Sequence, residues 1–184
     1  KLMYNTVKGH PFNLLLFLAV GTDKLDSYAV AQRFATLYKA ASNAGKLLLL
    51  DALLYTSYWD IDSVNVASML LGDPKFMPWE TFEDTLKRIE EFASHLDGVE
   101  KAYAVVHLYP RVATWYASYG ELDKALKFAE EALKALNDLR NAYKKDGASM
   151  EKKLRPYLEL KWVWPNLSNE IKELSWHVYS HVAF

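Results

Sequence analysis

The chain has 184 residues, 22 Lys and Arg against 23 Asp and Glu for a net charge of −1, and 51% apolar residues. That length suits one domain with a sizeable core, the composition excludes a disordered chain, and the even charge lacks the cationic surplus of a dedicated nucleic-acid binder. The 28 Leu and 21 Ala against 12 Val and 3 Ile exclude an all-β protein and disfavour a parallel α/β sheet, because buried strands draw on Val and Ile.

In chain order the pattern predicts helices at about 11–20, 23–43, 46–58, 61–71, 78–97, 99–119, 121–145, 149–163 and 167–183, an all-α chain of eight or nine helices. Glycine supplies the punctuation. The last six of the seven glycines, at 21, 45, 72, 98, 120 and 147, are separated by 24, 27, 26, 22 and 27 residues, about one helix plus one turn. Gly is the residue preferred just past a helix C-terminus, where the backbone turns left-handed. Near the break at 59–62, Asp60 and Asp62 are candidate N-caps.

The first run, Leu14 to Val20, follows Lys8 and precedes Ala19-Val20-Gly21 as a signal peptide would, but it reads better as a buried first helix. No apolar run approaches the roughly 20 residues of a membrane span. In 78–97 the apolar stripe is Phe82, Leu86, Ile89, Ala93 and Leu96, with Glu83/Lys87 and Asp84/Arg88 on the other side. In 121–145 the stripe is Leu122, Ala125, Leu126, Ala129, Ala132, Leu133, Leu136 and Leu139. Between them, 102–119 carries a single formal charge, Arg111, and reads as a central helix covered on most sides. Pro110 inside it predicts a kink or restart, Pro156 poses the same problem in 149–163, and Pro165 closes that helix. With no Pro/Ser-rich linker, one domain over 1–184 built of antiparallel hairpins is expected.

One internal echo appears at a shift of 40: Leu86, Lys87, Glu90 and Glu91 lie over Leu126, Lys127, Glu130 and Glu131. The unit 106–139 is more specific. Tyr109, Val112, Ala113 and Tyr116 fall along a first helix, Gly120 in a turn, and Ala125, Ala129 and Ala132 along a second. This pattern resembles the 34-residue tetratricopeptide repeat, although Ala129 stands where that family has an aromatic, Asn137 where it has a proline, and Pro110 is foreign to its first helix. The resemblance covers one repeat well, with a degenerate neighbour at 61–97. It implies hairpins stacked in an α-α superhelix whose first helices line a concave, partner-binding face. His107, Arg111, Thr114 and Ser118 would then face a protein or peptide. Arg111, a lone cation on an apolar helix, either pairs with a buried carboxylate or receives a ligand's carboxylate.

Catalytic signatures are scarce. With no cysteine, disulfides, thiolate zinc sites and cysteine nucleophiles are excluded. Glu173, His177 and His181 form Glu-x3-His-x3-His, but no general base lies between the histidines, and the three span about 12 Å along a straight helix. His177 and His181 are therefore candidates for a metal only as a pair, and no metal or other cofactor is expected. Arg88 and His95 form Arg-x6-His, which resembles the signature of the HEPN class of helical ribonucleases, yet Glu90 and Glu91 spoil the field for RNA. Isolated glycines make no phosphate loop. Among the aromatics, Tyr157, Trp162 and Trp164 beside two prolines are the patch expected to face a partner or a second subunit of a homodimer.

These features lead to a non-catalytic, tetratricopeptide-like interaction domain that binds protein or peptide, neither nucleic acid nor membrane. It is expected to be cytoplasmic, and its single Gln, at 32, hints at a thermophilic source. The alternatives are a closed helical bundle around a small apolar ligand, and a helical ribonuclease or metal-dependent enzyme.

Overall fold

The computed structural model describes residues 27–57, 82–160 and 166–183. Among them are six helices and no strand: α1 (Ser27–Ala40), α2 (Asn43–Ser57), α3 (Phe82–Ser94), α4 (Gly98–Ser118), α5 (Leu122–Leu158) and α6 (Leu167–Val182). The helices expected at 11–20 and 61–71, the caps Asp60 and Asp62, and Pro165 lie outside the described residues. No described helix is long and apolar enough to cross a membrane. The chain divides into two compact units, 1–88 and 89–184.

In the first unit, α1 ends at Ala40 and α2 starts at Asn43, two residues ahead of the glycine expected to separate them. The reason is Ser42, whose Oγ accepts the Gly45 N–H at 3.2 Å and caps the new helix. Gly45 lies in the first turn of α2, where an added Cβ would meet the Ala41 Cβ at 3.1 Å. Leu47, Leu50 and Leu54 are buried along α2. Phe34 and Tyr38 stack at 5.8 Å, and the Arg88 guanidinium lies 5.7 and 6.0 Å from their ring centres.

The second unit is organised around α4, eleven of whose 21 residues are buried, as expected of a central helix. α4 runs unbroken through Pro110, where a kink or restart was expected. The missing N–H orphans only one carbonyl of the helix, that of Val106. A left-handed Gly120, at φ +77°, ends the helix. There the Glu121 N–H donates to Tyr116 O at 2.9 Å and the Gly120 N–H to Ala117 O at 3.0 Å, the paired bonds of a Schellman turn. The chain reverses into α5.

Ala125, Ala129 and Ala132 are buried on α5, so small residues line its inner face. Phe128 completes that face by packing on Tyr109 and Tyr116 at 5.0 and 5.7 Å. Three leucines depart from the expected stripe: Leu122 is 55% exposed, Leu126 is 52% exposed, and Leu133 is half-buried. At 100° per residue they lie at the edge of an apolar arc centred near Ala132.

The helices expected at 121–145 and 149–163 are the two segments of α5, joined at a kink at Asp146, which has non-helical φ −158° and ψ 81°, the second segment ending at Leu158. Asp146 Oδ1 accepts the Ser149 N–H at 3.0 Å and so restarts the helix. Pro156 sits in the final turn, two residues before the end at Leu158. The restarted half returns to the beginning of α4, bringing the Tyr157 ring 5.3 Å from Tyr103. α6 begins at Asn166, whose side chain accepts the Asn169 N–H at 3.2 Å.

Candidate functional site: the polar seam between α4 and α6

α4 and α6 lie side by side and run in the same direction. Two contacts fix the register with one offset of 67 residues: Tyr103 to Glu170 and Thr114 to His181. Apolar packing closes one side of the contact, through buried Leu167, Ile171, Leu174 and Val178. The other side is polar.

Glu170, 4% exposed, is the buried acid of the seam. The Tyr103 hydroxyl donates to its Oε1 at 2.8 Å, and His107 Nε2 lies 3.4 Å from the same oxygen. Burial raises the Tyr103 hydroxyl well above the usual tyrosine value, and the Glu170 charge raises it further. It stays protonated and remains a donor. Tyr157 reaches the start of the same stripe, its hydroxyl donating to Glu100 Oε1 at 3.1 Å. Burial, with the Glu100 carboxylate, raises the Tyr157 hydroxyl as well.

One turn along, His177 Nε2 is 3.0 Å from the His107 carbonyl oxygen, so that nitrogen carries the proton and donates. Burial pushes the His177 imidazole down to about 3. Its bond to the His107 carbonyl works in the opposite sense, while His107, His181 and the Arg111 cation add to the lowering. His177 is thus neutral at physiological pH, with its proton on Nε2. Beyond it, Thr114 Oγ1 lies 2.9 Å from His181 Nδ1, 2.9 Å from His181 O and 3.1 Å from Pro110 O. Its one hydrogen serves a carbonyl while the His181 Nδ1–H donates to the oxygen, an assignment that satisfies both side chains.

Arg140 of α5 holds the outer edge. It donates from Nη1 to Tyr179 Oη at 3.1 Å and from Nη2 to Ser175 Oγ at 2.9 Å, with its guanidinium 5.7 Å from the Tyr179 ring centre. Trp176 beside it is 78% exposed and Tyr179 is 49% exposed.

Of the residues expected to face a partner, His107 and Thr114 contact the chain's own α6, and Arg111 is half-buried beside His177. Ser118 is exposed and donates to the Trp115 carbonyl at 2.7 Å. Tyr157, expected in a surface patch, is buried because the restarted half of α5 turns it onto Tyr103. Trp162 and Trp164 lie outside the described residues. The rings of His177 and His181 lie 4.7 Å apart, and each makes the hydrogen bonds within the fold given above. Among the described residues, no three His, Asp or Glu side chains are grouped to hold a metal ion. Arg88 stacks on Phe34 and Tyr38 of the first unit, whereas His95, in the second, has its Nδ1 2.6 Å from Glu91 O.

Sequence reasoning missed Tyr103, Glu170, Arg140, Trp176 and Tyr179. The signal was one-sided: Tyr103, His107, Arg111 and Thr114 recur at steps of four, four and three residues along the apolar middle of α4, whereas Glu170, His177 and His181 are three among many polar residues of α6.

Compared with family models, curated proteins and solved structures, the chain matches none.

Proposed function

We propose that this protein is a non-catalytic interaction domain that binds a protein or peptide, built of stacked helical hairpins in the tetratricopeptide manner. The observation that carries the reading is the group formed by Trp176, Tyr179 and Arg140 on the outer side of α6 and α5. These are the three residue types most enriched at binding hot spots, and here two large rings remain exposed while Arg140 holds one of them in place. Isolated exposed leucines are ordinary on a protein surface, but a Trp that is 78% exposed is an informative exception.

The stacked-hairpin part of the reading is supported by the order of helices, with α4 and α6 parallel and both packed against α5. It departs from the tetratricopeptide repeat in length. Equivalent positions on α4 and α6 are 67 residues apart, about twice that family's repeat, because the two helical segments of α5, joined at Asp146, both lie between them. The face bearing His107 and Thr114 is occupied by α6, which moves the partner-facing surface outward to Trp176 and Tyr179. A cytoplasmic setting belongs to the same reading.

Selection of a displayed random-peptide library on the purified chain tests this. An enriched consensus that binds the wild type, and loses about tenfold or more in affinity with Trp176→Ala, is expected for a hot-spot residue. Enrichment no greater than on an unrelated helical protein overturns the proposal.

A further inference from the structure

The exposed edge of α5 carries a second pattern, distinct from the α6 aromatics. Leu122, Leu126 and Leu133 fall within about 40° of one another around the helix, the first two more than half exposed. Next to them runs a row of four exposed charges, Asp123, Lys127, Glu130 and Lys134. Spaced four, three and four residues apart, they share one flank. Apolar residues bordered by alternating charges at this spacing form the seam of a two-helix contact, but no other described helix of the second unit covers this edge.

The order of the charges names the occupant. Read forward it is minus, plus, minus, plus; read backward it is plus, minus, plus, minus. A helix with this row is complementary to itself when the second copy runs antiparallel. Asp123 then meets the second copy's Lys134, and Lys127 meets its Glu130, each pair occurring twice about the two-fold axis. The apolar edge independently agrees with that register. Position 133 of one copy lies opposite position 124 of the other, midway between Leu122 and Leu126, so each Leu133 enters the gap between the other chain's two exposed leucines. The segment lies wholly before the break at Asp146, so its helical spacing is uninterrupted.

We infer that this protein pairs with a second copy of itself through α5, antiparallel and centred between Phe128 and Ala129. The subunit contact is therefore on α5, away from the buried Tyr157.

Sedimentation velocity of the full chain between roughly 10 μM and 1 mM, the range in which a small interface associates, tests the pairing. A monomer–dimer equilibrium is expected. Lys127→Glu alone and Glu130→Lys alone each place like charges opposite one another and weaken dimerisation by about tenfold or more. An equimolar mixture of the two variants restores complementarity and dimerises as the wild type does. Circular dichroism checks that these exposed substitutions leave the helices intact. A chain that is monomeric throughout, a dimer indifferent to either single reversal, or a mixture that stays monomeric overturns the inference. None of these outcomes bears on peptide binding at Trp176.

Discussion

Tyr103 and Glu170, 67 residues apart in the chain, meet across two parallel helices through a 2.8 Å hydrogen bond from the phenol to the buried carboxylate. A carboxylate removed from water is costly unless donors replace its hydration, and here Tyr103 supplies one while His107 Nε2 approaches the same oxygen at 3.4 Å. Tyr103→Phe keeps the ring and its packing but removes the donor. It is expected to cost about 1.5–3 kcal/mol, the range for a hydrogen bond to a charged group, measured by denaturant unfolding at pH 7. An unchanged midpoint would show that Glu170 is satisfied without the phenol.

His177 makes stability depend on pH in a definite direction. Its imidazole has a folded-state value of about 3, mainly through burial, against 6.5 ordinarily. As pH falls below the ordinary value, the unfolded chain takes up a proton that the folded chain refuses. The stability of the fold therefore decreases between pH 6.5 and 3, with a limiting slope of about 1.4 kcal/mol per pH unit. His177→Gln retains an N–H donor for the His107 carbonyl but does not titrate. Unfolding curves at pH 7, 5.5 and 4.5 are expected to show wild type losing stability faster than this variant. Parallel losses would place the acid sensitivity elsewhere.

What could be read from the sequence, and what could not, divides along one line. Helical character and several boundaries are local, so Gly120 at its turn, the start of α6 at Leu167 and the break near Gly147 were legible in spacing. Ser42 displaced the boundary expected at Gly45 because a side-chain cap competes with glycine for where a helix starts. Leu122 and Leu126 fitted the helical period but stand exposed, since periodicity locates an apolar arc without saying how much of it a neighbour covers. The stripe at His107, Arg111 and Thr114 was visible because polar residues one turn apart stand out on an apolar helix. Its complement was not, as Glu170 looks like any acid in a first turn, and the choice of α6 as neighbour to α4 depends on the length of α5.

Gly120 tests the turn that starts this arrangement. At φ +77° nothing lies within 4 Å of where a Cβ would stand, so Gly120→Ala isolates backbone strain from crowding. A loss of roughly 1–2 kcal/mol is expected, the cost of the left-handed conformation for an L-residue. Calorimetric unfolding measures it. No loss would mean that the turn relaxes into another form without disturbing α4 and α5.

The two ends of the α6 seam should respond differently to substitution. At the Glu170 end the polar contact is buried, and breaking it leaves a charge without its donor. At the Thr114 end, His181 is half-buried and lies in the last turn before α6 stops at Val182. Thr114→Val preserves the branched shape and removes both the hydroxyl donor and the oxygen that accepts from His181 Nδ1. Its global cost should be about 1 kcal/mol, smaller than that of Tyr103→Phe, because water can replace the lost partners at a helix end. Fraying of the last turn is the expected local effect. Hydrogen exchange would then accelerate at the amides of 178–182, whereas those of 170–174 keep wild-type protection. Acceleration spread evenly along α6 would instead show that the helix detaches as one piece, with the Thr114 contact holding all of it.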